Sequence, residues 1–135
     1  MNRSPEILNI KSDINELKEV EKFLFLIFEK NHLPQKFFNK VLLCISEAVI
    51  NSIEHGNKNV KDKEVAIHIR CLKENLCIEI KDQGEGFNYK CLDDPTSEEN
   101  IRKEAGRGVH IMKSISSKFT YHNHGKTLKI NICLK

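Results

Sequence analysis

Residues 46–57 read SEAVINSIEHGN, and this stretch decides the fold because it closes the most informative helix of the chain. A helix is predicted over residues 35–55, since apolar residues recur along it at helical spacing. Glu47, Asn51 and Glu54 are four and three residues apart, so they form one polar stripe. Apolar residues also flank this stripe, which indicates a helix that is buried on several sides. A carboxylate and an amide in such surroundings need a partner, and a ligand or a metal ion is a natural one.

A sheet is predicted from the segments around this helix. An edge strand is expected at residues 6–10, and alternating apolar positions on both sides of residues 73–75 predict an antiparallel hairpin. A second hairpin is expected across residues 123–125. Further helices are predicted, one beginning behind Asp13 and one over residues 108–117. This order predicts an α+β two-layer sandwich, with helices on one face of a mostly antiparallel sheet.

Length and composition are those of a soluble globular protein. The 135 residues predict one domain spanning residues 1–135. The chain is 39% hydrophobic and 30% charged, which is ordinary for this class. Its apolar runs are too short to span a bilayer, and the first residues lack a signal-peptide pattern. We therefore expect a cytoplasmic protein that does not bind membranes.

Charge and cysteine content argue against several further classes of protein. The net charge of +3 is mild, and no aromatic and basic platform accompanies it, so direct binding to nucleic acid is not expected. The five cysteines form no CxxC pair, which favours reduced thiols over a disulfide framework. His122 and His124 have no matched cysteine pair and are a weak candidate for zinc.

A glycine motif follows the second strand of the first predicted hairpin, at Asp82, Gly84 and Gly86. An aspartate at the end of a buried strand can accept a hydrogen bond from an exocyclic amine, which is how a pocket selects adenine. The glycines let the backbone turn sharply and approach a ring closely. Taken alone, the motif is more typical of a simple turn after a strand.

A second glycine motif, Gly106-Arg107-Gly108, precedes a predicted helix. The N–H groups at a helix N-terminus favour anions, and an arginine fork suits phosphate. The alternative is an ordinary loop with an exposed arginine. Neither a Walker loop nor a dinucleotide fingerprint occurs in the sequence.

The polar stripe completes a possible nucleotide site. Asn51 offers an oxygen ligand for Mg²⁺, and Glu47 can polarise a hydroxyl for attack on a γ-phosphate. A partly exposed polar stripe without function is the alternative.

The three motifs together resemble the GHKL superfamily of ATP-binding domains, which includes gyrase, Hsp90, histidine kinases and MutL. Glu47 and Asn51 match its N box, the motif at Asp82 its G1 box, and the motif at Arg107 its G2 box. The eleven residues from Ser46 to Gly56 most resemble the pattern of the bacterial anti-sigma factor serine kinases, the RsbW and SpoIIAB group. The resemblance extends over nearly the whole chain.

The resemblance implies a fold of the Bergerat type and a role for each motif residue. Asn51 would coordinate Mg²⁺ and Glu47 would be the catalytic base. Asp82 would bind the adenine amino group, with Thr127 supporting it through water. The remaining nucleotide-binding residues would be Gly84 and Gly86 in the adenine pocket, and Gly106, Arg107 and Gly108 along the phosphates.

The resemblance also implies an activity and partners. The expected protein is an ATP-dependent serine/threonine kinase that phosphorylates a STAS-type anti-anti-sigma protein, sequesters a sigma factor and forms a homodimer. The alternative is a non-catalytic ATP-sensing module of the same fold. The G2 segment contains fewer glycines than the lids of histidine kinases, and no phosphoacceptor hairpin precedes the domain, which argues against an autonomous histidine kinase.

Overall fold

An antiparallel sheet covered on one face by helices forms the body of the protein. The computed structural model describes residues 4–84, 110–123 and 125–134. Its main elements are β1 (Glu6–Lys11), α1 (Leu17–Lys30), α2 (Phe38–Asn51), β2 (Glu64–Leu72), β3 (Asn75–Lys81), β4 (Lys118–His122) and β5 (Thr127–Cys133). Residues 110–115 are also helical. In the described residues the sheet has the strand order β1-β2-β3-β5-β4 with antiparallel neighbours, which confirms the predicted α+β sandwich.

One face of the sheet is apolar because alternate residues of β2, β3 and β5 are aliphatic. Ile67 lies opposite Ile80, and Ile78 lies opposite Ile130, so each pair points to the same face. All four are at most 1% exposed and pack in one core with the apolar sides of α1 and α2. The opposite face of the sheet carries exposed charged side chains, including Arg70, Lys81 and Lys129.

The two long helices pack against each other through aromatic edges. The ring centroids of Phe28 and Phe38 are 5.3 Å apart, and the rings are nearly perpendicular. The apolar side predicted for the first helix is buried, including Val20 and Leu24. A short 3-10 turn precedes α1, and its Asp13 carboxylate accepts the N–H of Asn15 at 3.0 Å. In the described part of the chain, no helix has both the length and the apolar character needed to cross a bilayer.

The predicted single helix over residues 35–55 is in fact three segments. A 3-10 turn leads into α2, and a π-helical turn at Ser52–Gly56 follows it. The N–H of Asn57 donates to the carbonyl of Ser52 at 2.7 Å, the i to i+5 bond of a π-helix. Such single turns within α-helices are frequent at functional sites.

The end of this segment also differs from the prediction. We expected the common ending in which a glycine takes a left-handed conformation. Gly56 does not have a positive φ; the left-handed residues come later, at Lys58 and Asn59. The helical segment does end at Gly56, but this glycine is not left-handed, so it has a different structural reason.

Candidate functional site

The Asp82 carboxylate lies immediately after β3 and faces the end of the π-helical turn. The N–H of Asp82 donates to the carbonyl of Lys126 at 3.0 Å, which extends the pairing of β3 with the chain before β5. Its Oδ1 accepts the N–H of Gly84 at 2.9 Å. This local hydrogen bond fixes the orientation of the carboxylate within the turn.

Burial raises the pKa of the Asp82 carboxyl above its ordinary value. The Gly84 N–H and the positive charges of Lys126 and Lys63 act in the opposite direction, but desolvation is the larger effect. A carboxylate that has lost part of its water gains from a new N–H donor, because that donor replaces a lost hydrogen bond. Asp82 is therefore a suitable acceptor for an amine of a bound ligand.

Two glycines allow the end of the π-helical turn and the loop after β3 to touch. A Cβ atom at Gly56 would overlap the Asp82 carboxylate, and one at Gly84 would overlap the carbonyl of Gly56. Both glycines are buried. The sequence predicts close approach of the backbone at Gly84 to a ligand ring; the structure shows close approach of this glycine to the helix end.

A buried amide ties the same loop to β2. The Asn57 side chain is 0% exposed; its Oδ1 accepts the N–H of Gln83 at 2.8 Å, and its Nδ2 donates to the carbonyl of Glu64 at 3.1 Å. The Gln83 Oε1 in turn accepts the N–H of Glu64 at 2.7 Å. Sequence reasoning gave Asn57 only a part in ending the helix. Its place directly behind the Ser46–Gly56 motif was the one available signal.

Glu47 and Asn51 lie on the last turns of α2. Glu47 is half-buried, whereas Asn51 is only 8% exposed and its Nδ2 has no hydrogen-bond partner among the described residues. A buried amide without a partner costs about 1–3 kcal/mol, a cost that a polar ligand removes. Rotation of the amide exchanges its nitrogen and oxygen, and oxygen is the ligand that Mg²⁺ prefers. Asn51 therefore fits the role of a magnesium ligand.

Thr127 is not the residue of β5 that lies beside Asp82. It pairs with Lys81, and side-chain alternation puts both on the sheet face away from the helices. Lys126 is the residue opposite Asp82, and its charge acts on the carboxyl. Sequence reasoning missed Lys126 because the register of the hairpin decides between the two neighbours. The other predicted site residues, Gly86, Gly106, Arg107 and Gly108, lie outside the described residues, as does His124 of the zinc candidate.

The fold agrees with comparisons to known proteins. A family model described as "histidine kinase-like ATPase domain" matches residues 10–132 of the chain. The chain is 24% identical over 88 residues to the serine-protein kinase RsbW of Bacillus subtilis (strain 168). That alignment spans 61% of this chain and 55% of RsbW.

A solved structure shows the same fold. The crystal structure of the RsbU and RsbW domains of a Mycobacterium tuberculosis protein superposes with a TM-score of 0.66 at 14% identity. The match covers 96% of this chain and 32% of the other.

These matches first define the class of protein. The chain is an ATP-binding domain of the GHKL type, with a five-stranded antiparallel sheet in its described part. The family model spans most of the sequence, so the chain belongs to the family of histidine kinase-like ATPase domains and is similar to RsbW.

Proposed function

We propose that the chain is an ATP-dependent serine kinase that phosphorylates a STAS-type anti-anti-sigma protein and also binds a sigma factor and holds it inactive. One observation supports the proposal most directly. The Asp82 carboxylate contacts Gly56, at the end of the helical segment that contains Glu47 and Asn51. An acceptor for adenine thus adjoins a helix with a carboxylate and a buried amide. The likeness to RsbW supports the choice of a serine kinase within the family.

The nucleotide would be held at both ends. Asp82 would accept the adenine amino group, and Gly84 and Gly86 would leave room for the ring. The phosphates would lie along the Gly106–Gly108 segment. Asn51 would hold Mg²⁺, which when bound neutralises charge on the phosphates.

Glu47 would act on the protein substrate. The serine hydroxyl oxygen would form a bond to the γ-phosphorus while the bond to the leaving ADP breaks, and Glu47 would accept the hydroxyl proton. Arg107 would stabilise the charge on the transferred group. Catalysis of this kind depends mostly on positioning and electrostatics. A module that only senses ATP has no need of a base at position 47, which favours the kinase over the non-catalytic alternative.

Nucleotide binding is tested first by thermal stability with ATP, ADP and GTP, each with and without Mg²⁺. A ligand that binds only the folded protein raises its stability, by about 2.7 kcal/mol at a hundredfold excess over Kd. We expect stabilisation by adenine nucleotides that depends on Mg²⁺ and is lost in Asp82→Asn. No shift with any nucleotide would count against the proposed site.

Phosphotransfer is tested with γ-labelled ATP and a STAS-domain protein. Label on a serine of the STAS protein supports the kinase. If the native chain binds ATP but transfers no label to any STAS protein that it binds, the chain is the ATP-sensing module instead. Light scattering of the same samples tests the expected homodimer, and a clean monomer at micromolar concentration would contradict it.

A further inference from the structure

We propose that Asn57 is a positioning residue for base recognition: it fixes the Asp82 carboxylate relative to the helix and thereby sets the preference for adenine. This inference rests on the proposed function, because it assumes that Asp82 binds the base. It assigns to Asn57 an effect on selectivity in addition to its effect on stability.

Asn57 connects three parts of the chain through its own polar groups. Its N–H donates to the carbonyl of Ser52 in the π-helical turn at 2.7 Å. Its side chain accepts from the N–H of Gln83 at 2.8 Å and donates to the carbonyl of Glu64 at 3.1 Å. Asn57 is 0% exposed, so these hydrogen bonds form away from water, where an unpaired polar group is costly.

The hydrogen bond to Gln83 acts on the residue that follows Asp82. Gln83 lies between Asp82 and Gly84. The N–H of Gly84 donates to the Asp82 carboxylate and orients it. Gly56, which precedes Asn57, lies against the same carboxylate. Asn57 therefore holds the peptide that follows Asp82, while its neighbour Gly56 limits movement of the carboxylate toward the helix. A functional group held in this way keeps the accuracy of about 0.5 Å that recognition requires.

The hydrogen bond between the Asn57 side chain and the N–H of Gln83 is a tether between the loop and the helix end. Removing this tether should change the preference for adenine more than the overall affinity for nucleotides. In Asn57→Ala the N–H of Gln83 loses its acceptor, so the loop after β3 is free to shift and the carboxylate leaves its position. Adenine carries an amine at the position where hypoxanthine carries a carbonyl oxygen, so an acceptor at Asp82 that is placed for this amine favours adenine over hypoxanthine. The ratio of the two affinities therefore measures carboxylate position, and we expect that ratio to fall on the order of tenfold.

The test is calorimetric titration of ADP and IDP into folded native protein, Asn57→Ala, Asp82→Asn and Asn39→Ala. Asn39 is an exposed asparagine of α2 and serves as the matched control. Asn57→Ala should lower the ratio of the IDP Kd to the ADP Kd toward that of Asp82→Asn, whereas Asn39→Ala should keep the native ratio. A purely structural role would weaken both ligands equally, and an unchanged ratio in Asn57→Ala overturns the proposal.

Two further variants keep the test decisive if Asn57→Ala fails to fold. Asn57→Asp retains an acceptor for the Gln83 N–H and should keep more of the preference than alanine does. Gln83→Ala removes the hydrogen bond between the Gln83 Oε1 and the N–H of Glu64 but keeps the backbone N–H that Asn57 accepts, and this exposed side chain can be cut back without a cavity. The ratio should therefore stay near the native one in both variants; a fall on the order of tenfold in either variant would overturn the proposal.

A measurement without ligand separates this inference from the proposed function. Amide hydrogen exchange should be slow at Gln83 in the native protein and faster at Gln83 and Gly84 in Asn57→Ala, with Ile78 and Ile80 of β3 unchanged. Unchanged exchange at Gln83 overturns the tether. If the native protein binds neither nucleotide, the proposed function fails, while the exchange result still decides whether the tether exists.

Discussion

The carbonyl of Gly56 lies so close to Gly84 that no side chain fits at position 84. The contact joins the end of the π-helical turn to the loop after β3, two segments that carry different motifs of the proposed nucleotide site. Because the contact is between backbone groups, neither segment can adjust by a change of rotamer. The two motifs are therefore held at a fixed separation.

Gly84→Ala should weaken nucleotide binding and destabilise the fold. The added methyl group would overlap the Gly56 carbonyl, and backbone shifts of this kind cost about 1–3 kcal/mol. Urea unfolding and ADP titration measure the two effects. Ala66→Gly, a change on the opposite face of β2, controls for a general loss of stability and should leave ADP affinity unchanged. A native free energy of unfolding in Gly84→Ala would contradict the observed contact.

Asp82→Asn should stabilise the unliganded protein at neutral pH. Burial raises the pKa of Asp82, so the folded state binds this proton more tightly than the unfolded state does, and stability falls as the pH rises through the pKa of the folded state. Asparagine does not titrate and can still accept from Gly84. The difference between variant and native protein should shrink as the pH is lowered toward the ordinary carboxyl range. Urea unfolding at several pH values would refute this if the variant were the less stable protein at pH 7.

Asn51→Leu should separate stability from metal binding. Replacing a buried amide that has an unpaired nitrogen by an apolar side chain of similar size should raise the free energy of unfolding by about 1 kcal/mol. The same change removes the proposed ligand of Mg²⁺, so nucleotide binding should no longer respond to the metal. Asn39→Leu, at an exposed position of α2, is the control. Retention of the full magnesium response in Asn51→Leu would exclude Asn51 as a ligand.

Glu47→Gln should abolish phosphotransfer without abolishing binding. Glutamine cannot accept the serine proton, and loss of a general base lowers rates by about 10²–10⁴-fold. Labelled phosphate on the STAS partner measures the rate, and ADP titration shows whether the site is intact. Native phosphorylation in the variant would mean that Glu47 is not the base.

Cysteine reactivity should follow burial. Burial raises the pKa of the Cys44 thiol to about 12, so at pH 8 this thiol is almost entirely protonated and unreactive. Among the cysteines that the structure describes, Cys133 is exposed and should be alkylated first. Peptide mapping after iodoacetamide treatment, with and without urea, measures both sites. Rapid labelling of Cys44 in folded protein would contradict its position in the core.

The sequence predicts most of the fold because apolar periodicity is strong in its helices and strands. The alternation that includes Ile67, Ile69, Ile78 and Ile80 determines which face of the sheet is buried, and register follows once the first hairpin closes. The π-helical turn was not predicted, because an extra residue within one turn does not alter the apolar pattern enough to be recognised.

The site was less predictable because it depends on contacts between distant segments. Asp82 and Asn51 are recognisable from their motifs. The contact of Gly56 with Asp82 and the hydrogen bond between Asn57 and Gln83, in contrast, each join residues 26 positions apart. The choice between Thr127 and Lys126 depended on strand register, where a shift of one residue exchanges the two faces of the sheet. No local pattern around Thr127 contains that information.

The π-helical turn makes the length of one short segment a determinant of the site. The π-helical segment Ser52–Gly56 has five residues. It uses more residues per turn than an α-helix, which has 3.6. Deleting one residue of this segment would rotate the chain beyond by about 100° and carry Gly56 away from Asp82. Deletion of Glu54 or His55, neither of which is buried, would leave the core residues of α2 and the buried Ile53 in the chain. Single-residue deletions here should thus yield folded proteins whose nucleotide site is divided, whereas substitutions at the half-buried Glu54 should be tolerated.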